Sequence, residues 1–246
     1  MRRFALSIII AATPLLSQCG SDSNESELLT SDQKVPTFVI MGGNTSCGRD
    51  SSGNDPSPYV TGVYQRADTL MKTLHDRAGV KSSYITSCYG DSSTVVYSSS
   101  VEPDKIQQTS RTEFTKVVLD SYDSPEKEIY LVGHSYGGWL AMKVAGDIDE
   151  QIKGLFTIDP ISRVKCSFSR PSGCQSSPTD VTKNQREAIQ QRTGNWSNFY
   201  QTRTWYLHAS SIKEAHKNYK IDTPHREIDT KAEVWNEIYS VVSSHF

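Results

Sequence analysis

The chain lacks any apolar run that would span a bilayer comfortably; the stretch at its start, Phe4 to Leu16, covers only 13 residues. It also lacks a basic block, and its formal net charge of -2 argues against nucleic acid as a partner. Cysteine is sparse, with 5 in 246 residues, and no spacing among them suits a zinc site, so neither a metal nor any other cofactor is implied. No internal repeat is visible, which leaves solenoids and propellers aside.

What is present begins with Met1-Arg2-Arg3, a short basic segment ahead of the apolar stretch, the order of a secretory signal over residues 1–18. Leu15-Leu16-Ser17-Gln18-Cys19-Gly20 then resembles a bacterial lipobox, in which the cysteine becomes the lipidated first residue. Gln18 stands where that pattern has a small residue. The resemblance implies an acyl-anchored Cys19, a bacterial envelope location with the outer membrane favoured by Gly20, and a membrane as partner; plain secretion is the alternative. Residues 19–34 are polar and read as a flexible tether.

Past the signal, 28 acidic residues stand against 24 basic ones, and the remaining length suits one α/β domain over residues 35–246. Cys47, Cys88, Cys166 and Cys174 are an even number in an exported chain and predict two disulfides. The pairs expected are Cys166 with Cys174, close in sequence, and Cys47 with Cys88.

Apolar patterning sets out the domain. Val35 to Met41 predicts a first strand running into Gly42-Gly43-Asn44, followed by a loop over Cys47 to Pro58. Tyr59 to Ala78 predicts a helix with Val60, Val63, Tyr64, Ala67, Leu70, Met71 and Leu74 on one face. A strand follows over Ser83 to Ser87, then a polar loop over Gly90 to Asp104 and a helix over Lys105 to Tyr122. Ile152 to Ile158, Thr204 to His208 and Lys217 to Ile221 predict further strands, with a polar helix over Thr179 to Arg192 and a closing helix over Asp229 to Phe246. Eight residues between the last two strands are too few for a usual parallel crossover, so a hairpin is allowed there. Strands alternating with helices give an α/β fold, an open and mostly parallel doubly wound sheet of about six strands with helices on both faces.

At the centre of this pattern lies Ile129-Tyr130-Leu131-Val132-Gly133-His134-Ser135-Tyr136-Gly137-Gly138. A β-favouring run ends in Gly-x-Ser-x-Gly, and Trp139, Leu140, Met142, Val144 and Ala145 continue as a helix. In that setting the pentapeptide is a nucleophile elbow, a sharp turn that lifts the serine hydroxyl to the carboxyl edge of the sheet. The stretch resembles the α/β-hydrolase superfamily, and its Gly-His-Ser-Tyr-Gly-Gly form is similar to that of lipases and esterases.

A serine hydroxyl needs a histidine to take its proton and a carboxylate to orient that histidine. The superfamily order is Ser, acid, His. Asp159 closes the strand after the nucleophile helix, the acid position of the pancreatic-lipase type, and no carboxylate follows His208 immediately. Three of the histidines after Asp159, namely His208, His216 and His225, are candidates for the base. His225 lies between the last strand and the closing helix, where the resemblance places the base; His208 and His216 read as structural, as do His75 and His134. Glu227 or Asp229 is a candidate cap for the closing helix. By the same resemblance, the backbone of Gly43 or Asn44 and of Tyr136 would bind the oxyanion.

The expected function is therefore a serine hydrolase cleaving carboxylic esters of small molecules or lipids, with catalytic Ser135, His225 and Asp159, acting as a monomer. An acyltransferase with the same triad and a non-catalytic surface binding module on the same fold are the alternatives.

Overall fold

The computed structural model describes residues 34–44, 46–49, 56–58, 62–89, 94–98, 107–109, 115, 118–120, 127–162, 175–176, 181–204 and 207–246. The expected signal, tether and Cys19, the loop carrying Cys166 and Cys174, Asp180, and the side chains of Cys47 and Cys88 lie outside them. The elements are β1 (Val35–Asn44), β2 (Cys47–Arg49), β3 (Pro56–Pro58), α1 (Gly62–Ala78), β4 (Ser83–Tyr89), β5 (Thr94–Ser98), β6 (Gln107–Thr109), β7 (Lys127–His134), α2 (Tyr136–Asp147), β8 (Ile152–Ile158), β9 (Gln175–Ser176), α3 (Lys183–Arg192), β10 (Thr193–Tyr200), β11 (His208–Ala209), β12 (Lys217–Lys220), a 3-10 turn (Ile228–Thr230) and α4 (Ala232–Ser243).

Among the described residues the main sheet has eight strands in the order β12-β10-β8-β7-β1-β4-β5-β6. Six of them, β12 through β4, are mutually parallel, and β5 and β6 extend the sheet antiparallel. Side chains alternate across this sheet as the pleat requires. Phe38, Ile40, Tyr130, Val132, Phe156 and Ile158 pack against α1 and α4, whereas Val39, Met41, Ile129, Leu131 and Leu155 pack against α2 and Ile189 of α3. Both faces of β7 and β8 are buried, which explains the unbroken apolar run Ile129 to Val132 in β7. Helices thus cover both faces, and the carboxyl ends of β1, β7, β8 and β10 form one edge.

Several elements differ from expectation. Thr204 to His208 is not the strand beside β8; that place belongs to β10, whose buried Ser197 and Asn198 interrupt the apolar pattern. Both polar side chains are satisfied inside: Asn198 Oδ1 accepts from Thr157 at 2.9 Å and its amide donates to Asn218 at 2.8 Å, while the Ser197 hydroxyl donates to Asn195 at 2.9 Å. Because β10 ends at Tyr200, the connection over residues 201–216 is long enough for a crossover, and β12 pairs parallel instead of as a hairpin. The loop expected over Gly90 to Asp104 contains β5, and the helix expected from Lys105 has β6 at Gln107–Thr109. β5 is a short Val95-Val96-Tyr97 run and β6 is wholly polar, so neither carries a hydrophobic alternation. Cys47 to Pro58 likewise contains the small antiparallel pair β2 and β3.

Candidate active site

Ser135 stands between β7 and α2 with φ 57° and ψ -123°, in the left-handed region that a side chain rarely occupies. The flanking glycines are required by contact. A Cβ on Gly133 would lie 2.2 Å from the Gly137 carbonyl oxygen, and one on Gly137 would lie 2.1 Å from that of Met41. Backbone bonds hold the turn: the Ser135 amide donates to the Ile158 carbonyl at 2.9 Å, and the Ser135 carbonyl accepts from Gly138 and Ile161 at 3.0 Å each. The hydroxyl therefore sits rigidly over the start of α2, where free amides and the positive end of the helix dipole favour negative charge.

The structure brings three side chains into line there. His225 Nε2 is 2.9 Å from Ser135 Oγ, and His225 Nδ1 is 2.6 Å from Asp159 Oδ2. Asp159 is fully buried at the end of β8, and its own φ of 45° turns the carboxylate toward the base. Its oxygens are well supplied with donors. Oδ1 accepts from the amide of Ala209 at 2.6 Å and of Gln201 at 3.4 Å, and Oδ2 also accepts from Gln201 Nε2 at 2.7 Å. Hydrogen bonds to the charged form compensate a burial that would otherwise be costly.

Gln201 is a functional residue that the sequence reading passes over. It is fully buried directly after β10, and it links the acid to the segment around the base: its amide also donates to the Leu207 carbonyl at 2.7 Å, and its Oε1 accepts from the Thr204 amide at 2.9 Å. Thr204 Oγ1 in turn accepts from the His225 amide at 3.0 Å. The signal was present in the spacing, since Gln201 becomes a strand-end residue once β10 is set at Thr193–Tyr200.

On the other side of the serine, Gly43 packs against the hydroxyl; a Cβ there would lie 2.8 Å from Ser135 Cβ and 3.2 Å from Oγ. Asn44, the other expected donor from this loop, pairs in register with Tyr89 of β4. Gly43 is thus the member of the pair beside the hydroxyl. Tyr136 opens α2 on the opposite side, with its ring 4.7 Å from that of Trp139.

The remaining candidates lie elsewhere. His216 Nδ1 accepts from the Trp196 amide at 2.9 Å, and His208 Nδ1 is 3.3 Å from the Thr204 carbonyl. His75 is exposed on α1. Asp222 is exposed beside Arg203. Glu227 and Asp229 do not cap the closing helix, whose N-cap is Lys231 with no side-chain bond. Asp229 instead accepts from the Val63 amide at 3.0 Å, at the start of α1, and its Oδ2 lies 3.3 Å from His134 Nδ1. Burial pushes the His134 imidazole below its ordinary range, with His225 adding to this and Asp229 and Asp159 opposing it. The neutral ring that results donates through Nε2 to the His225 carbonyl at 3.1 Å.

Neither a protein-family model nor a curated protein sequence matches the chain. Among solved structures, the ydeN gene product from B. subtilis is similar at 12% identity and TM-score 0.47, covering 85% of this chain and 100% of its own. Est1E from Butyrivibrio proteoclasticus is similar at 14% identity and TM-score 0.45 over 86% of this chain and 90% of its own. A Paleococcus ferrophilus monoacylglycerol lipase is similar at 14% and 0.44 over 85% and 94%. Likenesses this distant transfer no activity, and the architecture rests on the chain's own geometry. The strand order, the crossovers and the serine turn after the central strand give the chain the α/β-hydrolase fold, with helices on both faces of its sheet.

Proposed function

We propose that the protein is a serine hydrolase that cleaves carboxylic esters through an acyl-enzyme. The observation that carries this reading is the unbroken line from Ser135 Oγ through His225 to the buried Asp159. Asp159 holds Nδ1 of His225 protonated, so the lone pair on Nε2 faces the serine and takes its proton as Oγ attacks the ester carbonyl. Charge then develops on the carbonyl oxygen, which the Gly43 and Tyr136 backbone amides would bind. His225 returns the proton to the departing alkoxide. Water enters next, gives a proton to the same Nε2, and releases the acid and free serine.

The apolar stretch before Cys19 supports placing this activity on an acylated, envelope-bound protein. The test of function is turnover of a nitrophenyl ester series of increasing chain length. Activity should vanish to background in Ser135→Ala and in His225→Ala while both variants keep the wild-type melting temperature. Transfer to added alcohols in preference to water would favour an acyltransferase, and inertness toward every ester and phosphonate would favour a binding module.

A further inference from the structure

The ladder between β1 and β4 is interrupted beside the serine, and a side chain fills the interruption. The two strands pair in register from Thr37 with Ser83 to Met41 with Ser87, then shift before Asn44 meets Tyr89. The two residues in the shifted step, Gly42 and Gly43, bulge out of the ladder. At that point the Tyr64 hydroxyl, from the first turn of α1, donates to the Ser87 carbonyl at 2.6 Å and its oxygen packs directly against Gly42. The oxygen is therefore bonded to one strand and in contact with the other at the break, and it is fixed to a helix. It also lies 3.3 Å from Ser46 Oγ, whose amide donates back to the Gly43 carbonyl at 3.1 Å.

Three features show that this space is shaped for the hydroxyl. A Cβ on Gly42 would lie 2.1 Å from the Tyr64 oxygen, so only glycine admits it. Burial raises the Tyr64 phenol well above its ordinary range, which keeps the proton on the oxygen and preserves its donor role. Next along the bulge is Gly43, the residue packed against Ser135 Oγ.

We propose that Tyr64 is a positioning residue for the oxyanion-binding backbone: its hydroxyl splices the β1–β4 ladder at the bulge and sets the Gly43 amide at the Ser135 hydroxyl. The inference rests on the serine hydrolase reading. It differs from a packing role because the ring alone would satisfy packing, whereas the splice needs the oxygen.

The experiment compares Tyr64→Phe, which keeps the ring and removes that oxygen, with wild type. Active enzyme is counted by titration, and kcat, KM and the affinity for an arylboronic acid are measured; the boronate forms an anionic tetrahedral adduct on the serine. The expected result is a loss in kcat of about tenfold or more, below the loss expected for deleting a donor outright. KM should stay within about twofold, and boronate affinity should weaken by the same factor as kcat/KM. A Gly43→Ala background gives the second arm: if Tyr64 acts through Gly43, Tyr64→Phe adds little there. A folded Tyr64→Phe enzyme with unchanged kcat and boronate affinity, or with losses fully additive to Gly43→Ala, overturns the proposal. Wild-type turnover in Ser135→Ala would instead overturn the hydrolase reading itself.

Discussion

His134 Nε2 lies 3.1 Å from the carbonyl oxygen of His225, so the residue just before the serine holds the backbone of the residue that bonds to it. The two imidazole rings are 5.0 Å apart, and Asp229, which accepts from the Val63 amide at the start of α1, lies 3.3 Å from His134 Nδ1. The serine turn and the histidine loop, distant in sequence, are thereby fixed to each other directly. His134→Leu removes the donor and should lower kcat by about tenfold, since small misplacement of a reacting group is costly. His134→Gln keeps an amide N–H that reaches the same carbonyl and should recover most of that loss. Equal damage in both variants would contradict the tether.

The same residue predicts a pH dependence of stability. His134 resists protonation in the folded chain, chiefly because it is buried, whereas the unfolded chain binds that proton near 6.5. Proton uptake below that value therefore favours unfolding, and stability should fall as pH drops from 7 toward 5. Thermal unfolding across that range should show a shallower slope in His134→Gln than in wild type. An equal slope would assign the acid sensitivity to other groups.

Asp159→Asn offers His225 an amide that donates as well as accepts, which permits the wrong tautomer. The expected loss is about 10⁴ in turnover, by analogy with serine proteases. The asparagine must also meet the amides of Ala209 and Gln201 and the Gln201 side chain, so a stability cost of about 1–3 kcal/mol accompanies it. Gln201→Leu removes one of these donors and leaves the Leu207 carbonyl and Thr204 amide without their present partner. It should reduce kcat by roughly tenfold with KM nearly unchanged, as for loss of a positioning interaction. Near-normal turnover in Asp159→Asn would move the acid elsewhere.

The parts of this arrangement differ in how far the sequence reveals them. The serine turn is legible because its flanks are a strand buried on both faces and a helix, each with a plain apolar pattern. The positions of Asp159 and His225 follow from counting strand ends after it. Gln201 is hidden because β10 carries buried Ser197 and Asn198, and their partners on β8, β12 and α4 are distant in sequence. Tyr64 reads as one more apolar helix position, since nothing local shows that its hydroxyl reaches β4. The edge strands β5 and β6 have no alternating apolar face to announce them.

The cysteines and the proposed signal segment give an independent prediction. Acylation at Cys19 requires that Cys19→Ala block processing or release the protein from the membrane fraction, and a peptide map of unreduced protein should join Cys47 to Cys88 and Cys166 to Cys174. A wild-type protein that is wholly soluble with an unmodified N-terminus would contradict the anchor, and a Cys47 to Cys166 peptide would contradict the pairing.

The central claim is that Ser135 is a nucleophile activated by His225, and covalent labelling tests it most directly. Intact-mass analysis after treatment with a fluorophosphonate should show one adduct per chain, with the modified peptide containing Ser135. Labelling should be absent in Ser135→Ala and slowed by at least about a hundredfold in His225→Ala, the scale of general-base assistance. A wild-type chain that stays unlabelled, or one that labels equally fast without His225, would contradict the account.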